Sequence, residues 1–253
     1  MRNYLYKGRI LLSFFLILPA TEIFALPGNY LADTLRVHST ILNEARTVII
    51  YHSANLAVSE PVQFLYLLDG EYSDQTCKEL AAQFADSLSQ LVVVGIMNPQ
   101  QRRDMLYVHA AAGFLDFICT ELVPAAEKGY HTTGRILDGH SFCGSFALFA
   151  LLRKPGFFKA YVATSPTLIM ALVAPARYLQ TDSSINKCTR LYFSYGSRDM
   201  KQVIRWAKKL ESNLSAIKFR NLQWRCERLE GKTHANSATE ALFSALRWVY
   251  PFK

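Results

Sequence analysis

From Val62 onward the chain alternates short apolar runs with segments of helical spacing, and this rhythm limits the available folds more than any other feature. The runs are VQFLYLLDG (from Val62), LVVVGIMN (Leu91), GRILDG (Gly134), KAYVATSP (Lys159), RLYFSYGS (Arg190) and LQWRCERLEG (Leu222). Short apolar runs bounded by turn residues suit strands that are covered on both faces. Between them lie the helical candidates DQTCKELAAQFADSLSQ, GFLDFICTELVPAAEKGY, GSFALFALLRK and MKQVIRWAKKLESNLSA, with a last helix from about Asn236. Strands alternating with helices imply βαβ units, hence an α/β fold with a mostly parallel central sheet and helices on both faces. Two β-rich stretches, TLRVHSTIL and RTVIIYHSA, precede the alternation. In open parallel sheets ligands bind at the carboxyl ends of strands. The loops after Leu68, Met97, Asp138, Ser165, Tyr195 and Leu229 are therefore where function is expected.

The 253 residues are 51% apolar and 19% charged, a globular composition that one α/β domain can accommodate. Residues 1–25 stand apart. Arg2, Lys7 and Arg9 precede the apolar stretch ILLSFFLILPA, Glu22 closes it, and Ala25 offers a small residue for cleavage. The stretch falls short of the roughly 20 residues that span a membrane. The expectation is a removable signal peptide, a single domain over residues 26–253, no stable membrane anchor, and an exported protein, periplasmic or secreted. Cleavage there would lower the formal net charge of +8 by two. The remaining basic residues form no stripe interleaved with aromatics, which argues against nucleic acid as a partner.

Five cysteines leave at least one thiol unpaired in an exported protein. Cys188 and Cys226 flank two neighbouring strand candidates and form the candidate disulfide. No Cys/His cluster has zinc spacing, so no metal is expected.

The chemistry concentrates around RILDGHSFCGSF. A strand, a turn with Ser141 at its apex and an apolar helix are the setting of a nucleophile elbow, which needs small neighbours so that helix and strand can approach. Gly139 meets that need before the serine, but Cys143 stands where a second glycine is expected and Gly144 follows it. A serine hydroxyl needs a base to take its proton. Of six histidines, His234 lies just after the final strand run, within reach of Ser141 across the sheet edge. His38 and His52 lie in early strands and read as packed imidazoles, and His140 reads as structural or pocket-lining. Asp199, after the penultimate strand, can orient the imidazole or cap the next helix, with Glu227 and Glu230 as alternative carboxylates. The order Ser, Asp, His is that of α/β-hydrolases. Backbone N–H groups for an oxyanion are expected from Phe142 and from Glu71 beside Gly70.

Together with HSTILNEAR, FLYLLDGEY, VVVGIMNPQQRRDM, FFKAYVATSPTL, YGSRDM and GKTHANS, this motif resembles the putative esterase family of the α/β-hydrolase superfamily, which holds esterase D-like and siderophore (enterobactin-type) esterases. The resemblance runs from about Arg36 to Tyr250. It implies an α/β-hydrolase fold with Ser141 as nucleophile, His234 as base and Asp199 as acid. It also places Asn98, Arg103 and Asp104 in a segment similar to the family's Asn-x-x-Arg-x-Arg-Asp loop, with altered spacing, where they either line the pocket or, through an Arg–Asp ion pair, hold the loop. The chain departs from the usual G-H-S-x-G-G at Cys143.

The expected activity is serine-dependent hydrolysis of a small carboxylic ester through an acyl-enzyme, without a cofactor. The siderophore-type ester comes from the resemblance alone. Substrate binding is expected to involve Asn98, Arg103 and His140. Two alternatives share the scaffold: an acyltransferase, and a catalytically inactive binding protein that Cys143 would favour.

Overall fold

The run Pro61–Leu68 is buried along nearly its whole length and forms the fifth and central strand of a nine-stranded sheet. The structure is a computed structural model describing residues 24–26, 30–57, 59–84, 89–98, 110–167 and 188–250. Its strands are β1 (Phe24–Leu26), β2 (Tyr30–Ser39), β3 (Glu44–Ser53), β4 (Pro61–Leu68), β5 (Leu91–Ile96), β6 (His131–His140), β7 (Ala160–Thr164), β8 (Thr189–Gly196) and β9 (Leu222–Leu229), in spatial order β1-β2-β3-β5-β4-β6-β7-β8-β9. From β5 to β9 every pairing is parallel, whereas β1, β2 and β3 form an antiparallel flank that joins the rest through β3 and β5. β1 spans the expected cleavage point at Ala25; the apolar stretch before it lies outside the described residues.

The helices are α1 (Ser73–Phe84), α2 (Ala111–Phe117), α3 (Val123–Ala126), α4 (Phe142–Arg153), α5 (Lys201–Ser215) and α6 (Ala238–Val249). The segment expected to be one helix from Gly113 is interrupted by a π turn at Ile118–Leu122, which ends two residues before Pro124. Proline has no N–H for the ordinary helical bond, and the wider turn accommodates its ring.

Strand alternation divides the core in two. Phe64, Tyr66, Leu137 and Phe193 face α2, α4 and α5, while Leu65, Leu67, Ile136, Val162 and Tyr192 face α1 and α6. Every residue of α4 from Cys143 to Leu151 is buried, as expected of a helix apolar on all sides. Each large apolar side chain buried this way stabilises the fold by roughly 1.5–3 kcal/mol, and this is what anchors the turn before α4. Among the described residues no helix is long and apolar enough to cross a membrane.

The disulfide expectation is overturned. Cys188 directly precedes Thr189, which pairs with Leu222, whereas Cys226 pairs with Phe193. The two thiols are thus offset by about five residues along the strands, roughly 16 Å at about 3.3 Å per residue. A bridge tolerates about 7 Å between Cα atoms. None of the five cysteines forms a disulfide, and only Cys188 is exposed. His38 is also exposed on β2 rather than packed, while His52 forms a 3.0 Å contact with Asp33.

Candidate functional site

The edge formed by the carboxyl ends of the parallel strands gathers the polar residues singled out above. Ser141 sits between β6 and α4 with φ 61° and ψ −119°, a combination that L residues rarely adopt and that costs about 1–3 kcal/mol. Its N–H bonds to the Thr164 carbonyl at 2.9 Å, and its carbonyl accepts the Ser145 N–H at 3.1 Å. The buried face of α4 holds the turn in this strained state.

The question of the missing glycine has a steric answer. A Cβ on Gly139 would collide with the Cys143 backbone, and one on Gly144 would lie 2.9 Å from the Thr164 carbonyl oxygen. The close approaches thus fall at Gly139 and Gly144. Between them, the Cys143 side chain is fully buried in the apolar core. Cys143 leaves the turn intact.

The Ser141 hydroxyl lies 3.0 Å from His234 Nε2, and His234 Nδ1 lies 2.9 Å from Asp199 Oδ1. A carboxylate can only accept, so Nδ1 carries the proton and Nε2 is free to accept from Ser141. The Asp199 carboxyl is fully buried, and three further donors satisfy it: the Met200 N–H at 2.7 Å on Oδ1, with the Ser165 hydroxyl at 2.6 Å and the Gly196 N–H at 3.4 Å on Oδ2. Ser165 in turn meets the hydroxyl of Ser237 at 3.0 Å, and both are fully buried. Sequence reading missed these two serines. Their one signal was position, immediately after β7 and before the last helix. Asp199 does not cap α5, whose N-cap is Met200. Of the alternative carboxylates, Glu227 accepts from Tyr192 and Ser244, and Glu230 pairs with Arg228, so neither competes for His234.

The loop carrying His234 is held at both ends. Arg198 N–H bonds to the Lys232 carbonyl at 2.8 Å, and the Asn236 side chain accepts the Thr233 N–H at 2.7 Å. His140 adds a third tie: its Nε2–H donates to the His234 carbonyl at 2.8 Å, and the two rings lie 4.8 Å apart between centroids. His140 also lines a cavity together with Asp69 and Tyr72.

The two expected oxyanion donors leave adjacent strands, since β4 and β6 pair in parallel with Leu67 opposite Asp138. Phe142 is the first residue of α4 and Glu71 the second of the short turn Gly70–Tyr72, so both N–H groups belong to first turns, where no backbone acceptor is available within the helix. Gly70 is required here because a Cβ would lie 2.5 Å from the Ile96 nitrogen. The Glu71 carboxylate accepts the Asn98 N–H, and the Asn98 side-chain oxygen accepts from Arg46 at 3.3 Å. Asn98 is therefore buried in a brace beneath the loop, with no partner for its Nδ2 among the described residues. Arg103 and Asp104 lie outside the described residues. Among those described, no group of three or more His, Cys, Asp or Glu is arranged to hold a metal ion.

A mostly parallel sheet with a strained serine after its central strands, followed in chain order by an aspartate and a histidine, defines the α/β-hydrolase fold. Residues 39–232 match the family described as "Putative esterase", and the chain belongs to that family of carboxylic ester hydrolases. Solved structures agree on the fold. The BES protein from Bacillus cereus is 20% identical, with 97% of this chain and 99% of that one covered and a TM-score of 0.75. An IroE-like serine hydrolase from Shewanella oneidensis is 23% identical over 86% and 79%, with a TM-score of 0.70. The siderophore hydrolase EstA from Aspergillus nidulans is 18% identical over 96% and 98%, with a TM-score of 0.69. A search of curated protein sequences found no match.

Proposed function

We propose that the protein hydrolyses its ester through an acyl-enzyme on Ser141. The observation that carries this reading is the unbroken chain from Ser141 Oγ through His234 to the buried Asp199, built on a backbone turn that projects the hydroxyl. Oγ attacks the ester carbonyl while His234 Nε2 takes its proton. The tetrahedral oxyanion is stabilised by the N–H groups of Phe142 and Glu71. Collapse breaks the bond to the alcohol, which leaves with the proton from His234. Water, deprotonated by the same nitrogen, then attacks the acyl-serine and releases the acid. Asp199 holds the imidazole and balances its positive charge while it is protonated. No cofactor takes part in these steps.

The substrate class proposed is a small siderophore-type ester, a reading supported by the family and by similarity to a protein titled a siderophore hydrolase. Residues 1–25 act as an export signal in this reading, which puts the enzyme in the periplasm or outside the cell.

The test is hydrolysis of short and medium p-nitrophenyl esters and of a cyclic catecholate triester, by the wild type beside Ser141→Ala. Turnover that disappears in the variant supports the mechanism, and acid products from the triester support the substrate class. Failure of a fluorophosphonate probe to label Ser141 would overturn the nucleophile assignment.

A further inference from the structure

In the proposed mechanism the second oxyanion donor is the N–H of Glu71, and it sits in a loop with little regular structure to fix it. Gly70–Tyr72 is a single turn, and Asp69 before it holds φ 57° and ψ 52°, a left-handed state that persists only where neighbours over-determine it. Those neighbours come from β5 and the residues beyond it. Gly70 lies so close to the backbone of Gly95 and Ile96 that no Cβ fits, and the Ser73 hydroxyl donates to the Gly70 carbonyl at 2.5 Å. The Glu71 carboxylate accepts the N–H of Asn98, two residues past the end of β5.

The far side of that same peptide group is held by a residue outside the hydrolytic chain. Arg46 lies on β3, in the antiparallel flank, and is 3% exposed. Its Nη2 donates to the Met97 carbonyl at 2.7 Å and to Asn98 Oδ1 at 3.3 Å. Its Nη1 pairs with Glu44 at 3.1 Å, and its guanidinium lies 5.5 Å from the centre of the Phe114 ring. Burying a guanidinium costs desolvation that an ion pair recovers only with good geometry, so stability alone is a weak reason for Arg46 to be there. What it supplies is direction. The Met97 carbonyl and the Asn98 N–H belong to one rigid peptide plane, gripped by Arg46 at one end and by Glu71 at the other. A carbonyl that accepts from a charged donor also polarises the N–H of its own peptide, which strengthens the bond to the Glu71 carboxylate.

We propose that Arg46 is a positioning residue for ester hydrolysis: through the Met97–Asn98 peptide and the Glu71 carboxylate, it sets where the Glu71 N–H points. The proposal rests on the acyl-enzyme reading, in which that N–H meets the oxyanion. A donor of this kind acts on charge that develops in the transition state rather than on bound substrate. Loss of Arg46 therefore shows in kcat and leaves KM.

The test is the kinetics of p-nitrophenyl butyrate hydrolysis by the full chain beside Arg46→Met, Glu71→Ala, Glu71→Gln and the double variant Arg46→Met with Glu71→Ala. Circular dichroism checks that each is folded, and assays run well below the unfolding transition. Arg46→Met and Glu71→Ala are each expected to lower kcat about tenfold to a hundredfold, less than outright removal of an oxyanion donor, with KM within about twofold. Glu71→Gln keeps an acceptor for Asn98 and should recover most of the activity. The double variant should lose no more than about threefold beyond the worse single one, because both changes act on the same N–H. Where Arg46→Met does not fold, Arg46→Lys replaces it: the charge stays but the fork is lost, and kcat should fall at least about threefold at unchanged KM. Unchanged kcat in a folded Arg46 variant, a loss carried by KM, a Glu71→Gln no better than Glu71→Ala, or losses that multiply in the double variant would each overturn the proposal and leave hydrolysis standing. A wild type that turns over no ester and takes no fluorophosphonate label on Ser141 would overturn the hydrolase reading and this proposal with it.

Discussion

The hydroxyl of Ser165 donates a 2.6 Å hydrogen bond to Oδ2 of Asp199, the oxygen that His234 does not use. Ser165 holds a positive φ of 45° at the end of β7 to make this contact, a backbone state that favours glycine. The contact fixes the plane of the carboxylate. In Ser165→Ala, kcat on a p-nitrophenyl ester is expected to fall roughly tenfold to a hundredfold, the value of a charge-assisted bond to a buried acceptor. Asp199→Asn should cost more, roughly 10³- to 10⁴-fold, because it also reverses the imidazole tautomer. If Ser165→Ala matched the wild type, the remaining donors on Asp199 would suffice to hold it.

His140 ties the loop of His234 to β6 through a single N–H. Replacing it with alanine should lower kcat/KM about tenfold, with most of the loss recovered by glutamine, whose side-chain N–H2 reaches a similar point. Equal losses in both variants would mean that ring packing against His234, rather than the donor, does the positioning.

The buried thiol of Cys143 predicts a separation of stability from activity. Cys143→Gly removes a buried side chain and introduces glycine into the first turn of α4, so urea denaturation should show a loss of about 2 kcal/mol. Ester turnover below the unfolding transition should stay within about threefold, since the side chain is buried in the core and the Ser141–His234–Asp199 chain of hydrogen bonds does not run through it. Gly144→Ala, by contrast, is expected to abolish turnover through its clash with the Thr164 carbonyl.

Asp138 makes stability depend on pH. Its folded value is about 7 against an ordinary 3.8, so between those values the unfolded chain ionises while the folded protein stays protonated. Stability contributed by the neutral acid is complete below about pH 4 and falls as pH rises towards 7, levelling beyond it. Asparagine does not titrate. Calorimetry of Asp138→Asn should show a Tm close to that of the wild type near pH 4. By pH 8 the variant should gain at least about 1 kcal/mol, or roughly 2–4 °C. A constant difference across that range would place the ionisation elsewhere.

The strand-and-helix rhythm was legible along the chain because a buried parallel strand and a buried helix each impose their own spacing on local sequence. The same holds for the turn at Ser141 and for the order of Ser141, Asp199 and His234, which follow from loops at one edge of a parallel sheet. Tertiary structure decided what depends on facing. Whether Cys143 spoils the turn depended on where the close backbone approaches fall, and the packing around Gly139 and Gly144 decided that. The pairing of Cys188 with Cys226 failed because register, invisible to a single strand's sequence, offsets them along neighbouring strands. The roles of Ser165 and Ser237 were hidden for a related reason. Their partners lie 34 and 72 residues away, and such contacts exist only once the sheet has assembled.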